Sequence, residues 1–525
     1  MRFRQIAFVI ALCCGGMLGA LNSAQAQTLR FSAAGDAVTF DPNAHNEAFT
    51  MNMMLLVHDA LVRRDEKLQI VPALATSWEI VEPTRWRFKL RPGVTFHNGS
   101  PLKAEDVVAS IERTIDPGAR NKGDLASVLR AEIVDDLTVD VILHGPYPLL
   151  LNDLAGISIM SKSWLTAHGA LKPGNTSTGA VTYASTNANG TGPFKLVTYQ
   201  PGSRTVLVVN EDWWDKPKHN FKRIEFLPIK SDATRVAALL SGEVDLITDV
   251  PLQDIARVGA SPDLKVVEEP SLRTVFLGFN WLPQLFGDPS QKNPLHDVRV
   301  RRALWHAIDL ETLHKRVMRG KSRNAGIVIA PPVVGYSAEL DKPLAYDPAL
   351  AKRLLAEAGY PNGFKATFGC PNDRYIAGEQ ICVALTAMWS KIGVNAALTM
   401  ESKSTYFPRH DRGEFDIWIY STATLPSIDG YRAINSVLST RKGAYGAQNP
   451  GGMSVAAIDE INIKAAVELD ESKRRALVTE ALRIARDDAL IIPLHQQPLA
   501  WAMKSKVDMP QLPDEFIRPW LGRMQ

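Results

Sequence analysis

Arginine 374 is the residue best placed for chemistry in this chain. In "CPNDRY" it follows the strand-like "KATFGC" and precedes a helical stretch, the position where α/β folds gather ligands. A guanidinium there can offer two parallel donors to a carboxylate, although a surface salt bridge is the plainer use of it. Tyr375 beside it could add a ring. Other candidate chemistry fails residue by residue. There is no His-Glu-x-x-His pair for zinc, and "GKS" at 320–322 lacks the glycine five residues before Gly320 that a phosphate loop requires. "GISIM" ends in Met160 where a nucleophile elbow needs glycine. The 11 histidines are scattered with no spacing suited to a ligand set, so no metal site and no cofactor is expected.

Single residues admit bland readings. His97 borders the Asn98-Gly99 turn and reads as turn-stabilising rather than catalytic. Trp213 and Trp214 could wall a ligand, but more simply pack their indoles on the body of the protein. Asp416, at a strand start, reads as structural. Cys370 and Cys382 are the cysteines outside the N-terminal apolar run. In an oxidising compartment they form either a disulfide or two buried thiols whose vectors never meet.

That N-terminal run identifies the compartment. Arg2 and Arg4 precede apolar residues from Ile6 to Leu21, and Ala24-Gln25-Ala26 supplies small residues where a signal peptidase reads. The run is about 16 residues, short of the roughly 20 that span a bilayer. Residues 1–26 are therefore expected to be an export signal cleaved after Ala26. Cys13 and Cys14 lack the neighbours that lipoprotein processing needs, so no lipid anchor is expected. Cleavage removes two arginines and no acid, taking the formal net charge from +3 to +1. A chain so near neutrality has no global field to attract nucleic acid.

The elements that must position these residues alternate strand-like and helical patterns without a repeat, which predicts a mixed α/β protein. At 525 residues the chain exceeds one core, so two or three lobes are expected. "WRFKLRPGVTF" alternates like a strand and runs into the turn at Asn98-Gly99. Val107, Val108, Ile111 and Ile115 follow at helical spacing, with Lys103 where a capping Ser or Thr is usual, predicting a weakly capped start. "HDVRVRRALWHAIDLETLHKRVMRG" reads as one helix. "DPALAKRLLAEAGY" reads as another, with Asp347 as cap, Pro348 at the first helical position and Gly359 at its end. "KATFGC", a helix near 376–391 and "NAALTME" predict a βαβ unit. The loop "TSTGAVTYASTNANGTGPF" reads as a surface loop or a boundary.

In that order the motifs resemble one family. "PALATSWEI" and "RWRFKLRPGVTFHNGSPLKAEDV" are followed by "GTGPF", "NEDWW", "RVAALLSGEVDLI", "LGFN", "DVRVRRALWHAIDLETL", "YDPALAKRLLAEAGYPNGF" and "IGVNAALTMES". The chain is similar to family 5 extracytoplasmic solute-binding proteins, the peptide, dipeptide and nickel receptors of ABC importers. The resemblance implies a two-lobed periplasmic binding protein of the second class, with an extra domain and a cleft between lobes. Lobe one would take 28–62, 188–277 and 491–525, the accessory domain 63–187, and lobe two 278–490, with crossovers near Gly278–Asn280 and Ile491–Pro493. It implies a monomeric, non-enzymatic receptor that closes on a small-molecule or peptide ligand and is recognised by permease subunits at the inner membrane.

In dipeptide-binding relatives an arginine after the "KATF"-like strand grips the peptide carboxylate, and Arg374 falls on that position. Those relatives also carry an acid after the "FD…GW" strand for the α-amino group. In "FDIWIYSTATLPSIDG", Ser421 and Thr422 replace Gly-Trp and Leu425 stands where the acid belongs, leaving Asp429 as the nearest substitute. The expected solute is therefore a peptide or another carboxylate-bearing molecule. "DAVTFDPNAH", with Asn43 and His45, and "STNANGTG" are further candidate cleft linings. A nickel, metal-chelate or haem receptor of the same family is the nearest alternative. A secreted hydrolase with a spatially assembled triad, or a periplasmic chaperone or sensor on the same frame, is more distant.

Overall fold

The computed structural model describes residues 28–525 except 46, 177, 217, 426 and 444; the expected signal segment lies outside the described residues. Its centre is an 11-stranded mixed sheet whose two long strands, Leu264–Phe279 and Ile492–Lys504, run antiparallel side by side. Near their outer ends the first half of the sheet attaches, through Leu246–Ile247, Thr28–Ala33, Arg223–Pro228, Arg204–Val209 and Phe194–Gln200. At the other ends Ile417–Thr422, Lys365–Pro371 and Asn395–Glu401 continue it. The ladder between the long strands is interrupted between Pro270 and Thr274. Beyond that break, Thr274–Phe279 pairs with Ile417–Thr422 as well. Each long strand thus belongs to both lobes, and the change of neighbour comes before the expected joint at Gly278–Asn280.

Alternation and side-chain type explain the elements. Arg85–Leu90 buries Trp86, Phe88 and Leu90 on one face, in a four-stranded antiparallel sheet with Ala75–Glu82, Thr138–Leu143 and Val128–Asp135. The helix Ala104–Ile115 covers that sheet with Val107 and Ile111. This small sheet has its own core and falls within the stretch expected as the accessory domain. The start of its helix is better held than Lys103 suggested. The Asp106 carboxylate reaches back to accept the backbone N–H of Lys103 at 2.8 Å and also that of Lys162 at 2.8 Å.

The βαβ unit forms with its two strands parallel and the helix Gly378–Ser390 between them. The helix Pro348–Glu357 starts as expected, with Asp347 accepting from Leu350 N at 2.8 Å. The helix expected over 296–320 is broken instead. Val298–His306 ends, and Asp309 caps a new turn by accepting from Thr312 N at 2.9 Å. An aspartate inside an apolar-periodic run competes for the backbone and restarts the helix.

Among the described residues no helix is long and apolar enough to cross a membrane.

Candidate ligand-binding cleft

Asp41 and Arg113 join the first strand's following loop to the helix of the small sheet as a seam. Asp41, fully buried, accepts from both terminal nitrogens of Arg113 at 2.6 Å, from Gly174 N at 2.9 Å and from Thr182 Oγ1 at 3.1 Å. Burial alone would push the Asp41 carboxyl up, but the Arg113 hydrogen bonds and charge hold it below its ordinary value. Asn43 is part of this network: its amide donates to Thr114 Oγ1 at 3.0 Å and to Asn121 Oδ1 at 3.2 Å, and its carbonyl accepts from Arg113. With its amide so engaged, Asn43 has no free group for a solute.

The loop "STNANGTG" also belongs to this seam. His97 N donates to Gly190 O at 2.8 Å and its Nε2 contacts Gly192 O at 3.0 Å. A side chain on Gly190 would lie 2.0 Å from Val57 O, so only glycine lets this loop approach the end of the helix Ala48–Val57. Thr191 Oγ1 donates to Asp59 Oδ2 at 2.9 Å, an oxygen that also accepts from Trp213 Nε1 at 3.3 Å and Trp214 Nε1 at 2.7 Å. His97 and both indoles are thus structural. Asp416 is too, accepting from the backbone of Phe286 and from Thr367.

Lobe two faces this assembly across a cavity of about 270 Å³. The helix Ala48–Val57 contributes Met51, Met54 and Leu55, the C-terminal segment Phe516 and Trp520, and lobe two Leu425 and Arg432. His45 is the predicted site residue that reaches it; burial lowers its pKa, and its Nδ1 contacts Thr176 Oγ1 at 2.8 Å. Leu425, where an acid was expected, presents hydrocarbon to the cavity. The walls touch directly beside it. Arg64 donates to Asn152 Oδ1 at 2.9 Å and across the gap to Ser427 O at 3.0 Å, while Leu68 and Leu149 pack into the lobe-two core with Ile428 and Tyr431. An adjoining cavity of about 210 Å³ shares Ala48 and Phe516 and is lined by Asp249 and Glu515, both with left-handed φ, 56° and 71°. Non-glycine residues held there cost energy and recur at ligand sites.

Arg374, Tyr375 and Thr422 sit at neighbouring strand ends of lobe two, away from the lining of the larger cavity. The Cys370–Cys382 disulfide ties down the loop that carries the first two. The Arg374 guanidinium lies 5.6 Å over the Tyr375 ring and makes no hydrogen bond or ion pair among the described residues. Burial first, and the charge of Arg273 second, push its pKa below the ordinary value. Arg273 in turn reaches Glu515, which lines the smaller cavity, at 3.6 Å and Ser421 Oγ at 3.4 Å. Thr422 is buried in the ladder opposite Thr274.

Asp429 is elsewhere. It is buried in lobe two, accepting from Tyr431 N at 2.9 Å and from Arg474 Nε at 3.2 Å. With both oxygens engaged it does not supply the missing acid. Among the described residues no group of three or more His, Cys, Asp or Glu converges to hold a metal ion.

Sequence reasoning missed Arg432, Asp124, Phe516 and Trp520. Only Met51 and Met54 carried a signal, as part of "MNMMLLV", a helix too apolar on every side to face water.

Comparison with known proteins agrees with this architecture. The family described as "Bacterial extracellular solute-binding proteins, family 5 Middle" matches residues 69–444. The probable deoxycholate-binding periplasmic protein YgiS of Escherichia coli K12 is 29% identical over 514 residues, covering 92% of this chain and 90% of that protein. The Heme-binding protein A of Haemophilus influenzae is 31% identical over 382 residues, 67% of this chain and 65% of its own. The solved structure of HbpA2 from Haemophilus parasuis superposes with a TM-score of 0.79 at 26% identity, covering 95% of this chain and all (100%) of that one.

Proposed function

The chain belongs to the family 5 bacterial extracellular solute-binding proteins, and on that premise we propose that its inter-lobe cleft holds a carboxylate-bearing small molecule or peptide for an ABC importer. The observation that carries this reading is the cavity of about 270 Å³ between the lobes, apolar along Met51, Met54, Leu425 and Phe516 and bordered by guanidinium groups. Hydrocarbon at Leu425 favours a solute with an apolar body over one that needs its ammonium matched there. Arg374, with Tyr375 and Thr422 beside it and outside the lining of that cavity, is the receptor we assign to the solute carboxylate. Its guanidinium makes no hydrogen bond or ion pair among the described residues, and its loop is held by a disulfide.

Function follows from closure. A solute that touches both lobes only when they are together shifts the open–closed equilibrium toward the form a permease recognises. We assign the protein no reaction, and a periplasmic monomer, exported by residues 1–26, is the form in which we expect it to act.

Thermal shift with deoxycholate and with the dipeptide Met-Leu tests the class, because a bound solute stabilises by RT ln(1 + [L]/Kd) without turnover. Titration of Arg374→Ala then tests the carboxylate receptor: a loss of tenfold or more is expected, and unchanged affinity removes Arg374 from the site. A haem receptor is the second reading, favoured by the 31% identity to Heme-binding protein A. A shift in haemin absorbance on titration, with no response to either other solute, would put it first.

A further inference from the structure

The charged groups around the larger cavity are not held alike. Arg63 pairs with Asp215 at 2.6 Å, Arg518 pairs with Asp514, and Arg64 donates to Leu68 O, Asn152 and Ser427 O. Arg432 and Asp124 also line the cavity, yet neither side chain makes a hydrogen bond or an ion pair among the described residues. They come from different walls. Arg432 stands on the short lobe-two helix Tyr431–Ala433, and Asp124 on the turn Lys122–Leu125 of the accessory side. They are near enough for Arg432 to lower the Asp124 carboxyl against the larger effect of burial, but farther apart than the 4 Å of an ion pair. A third group faces the same field: Asp153, 3% exposed, accepts from Tyr147 at 2.7 Å through one oxygen and leaves Oδ1 without a partner.

Unpaired charges inside a protein are costly, and the cost is relieved when a ligand supplies the missing partners. A guanidinium only donates and a carboxylate only accepts. Their charges cancel, so the pair suits a neutral group able to accept from one and donate to the other. A hydroxyl or an amide has both capacities.

We propose that Arg432 and Asp124 form a second recognition point that holds a hydroxyl or amide of the solute from opposite walls of the cavity. The solute is then a molecule with an apolar body, a carboxylate toward Arg374, and a hydroxyl or amide toward the accessory side. Because Arg432 and Asp124 belong to different walls, this contact exists only when the cleft is closed, and it adds to the closing force. The inference rests on the cavity being the solute site.

The test is binding of deoxycholate and of Met-Leu, by calorimetry, to the wild type, Arg432→Gln and Asp124→Asn. Each variant is expected to weaken the bound solute tenfold or more, while the melting temperature of the solute-free variants stays near that of the wild type. For deoxycholate, 5β-cholanate, which lacks both hydroxyls, should bind the wild type more weakly by the same factor and lose nothing further in Arg432→Gln. Wild-type binding kept within twofold by both variants overturns the recognition point and leaves the cavity as the solute site. Failure of the wild type to bind either solute overturns the reading of the cavity, and the recognition point with it.

Discussion

Two pairs of opposite charge each draw their members from different parts of this protein, and they are built in opposite ways. Asp41 and Arg113 are locked in two hydrogen bonds of 2.6 Å, with Ala170 O, Asn43, Gly174 and Thr182 completing the donors and acceptors. Asp124 and Arg432 look into a cavity and complete nothing within the described protein. The first pair joins the first strand's following loop to the helix of the small sheet as a fixed seam. The second faces a cavity lined from both walls. Full satisfaction marks a place where the protein is meant to stay shut; charge without a partner beside empty space marks a place left for something else.

The largest test of this contrast is Arg113→Ala. Removing one partner leaves Asp41 buried and unpaired, so denaturant unfolding should show a loss of about 3–5 kcal/mol. A loss under about 1 kcal/mol would mean the seam is no stronger than an exposed pair.

The two regions should also respond to pH with opposite sign. Asp41 titrates below its ordinary value in the folded protein, so its contribution is present above about pH 4 and is lost on further acidification. Asp153 is raised to about 7 by burial, against the opposing Tyr147 hydrogen bond and Arg432 charge. The unfolded chain releases that proton near pH 3.9, so this group lowers stability as pH rises from about 4 to 7. Asp153→Asn should therefore gain stability relative to the wild type between pH 5 and pH 8, by at most about 3 kcal/mol. A constant difference between the two proteins across that range would contradict it.

Leu425→Asp puts a carboxylate into the cavity where hydrocarbon now lies. Deoxycholate affinity should fall about tenfold, roughly 1.4 kcal/mol, while Met-Leu gains, as calorimetry would show. Equal changes for both solutes would mean that Leu425 does not discriminate. The smallest expected effect is on the solute-free stability of Arg432→Gln, within about 0.5 kcal/mol of the wild type, because no side-chain hydrogen bond or ion pair among the described residues is lost. A larger loss, measured by the same unfolding assay as Arg113→Ala, would make Arg432 structural and erase the contrast.

Much of the frame was legible without coordinates. Alternation in "WRFKLRPGVTF" and helical spacing from Val107 to Ile115 announce the strand and helix of the small sheet, since apolar period reports directly on which face is buried. Asp347 and Pro348 announce a helix start because capping is local chemistry. Where a local signal had a competitor the expectation slipped: Asp309 restarts a helix that periodicity alone would continue, and Asp106 supplies the cap that Lys103 lacks. Site residues were harder. Arg374 could be singled out from its place after a strand, but Asn43 and Asp429 are as polar and as loop-borne, and both are enclosed by protein partners.

Strand and helix patterns, written within short windows, determined the mixed α/β class, and the order of motifs carried the resemblance that implied the family and its two lobes. Which polar residues are satisfied by the protein and which are left facing a cavity was decided only by the tertiary structure. Asp124 and Arg432 come from segments far apart in the chain and face one cavity only through the tertiary fold. No local pattern can encode whether a guanidinium will find a protein acceptor, since that acceptor is brought by another part of the fold.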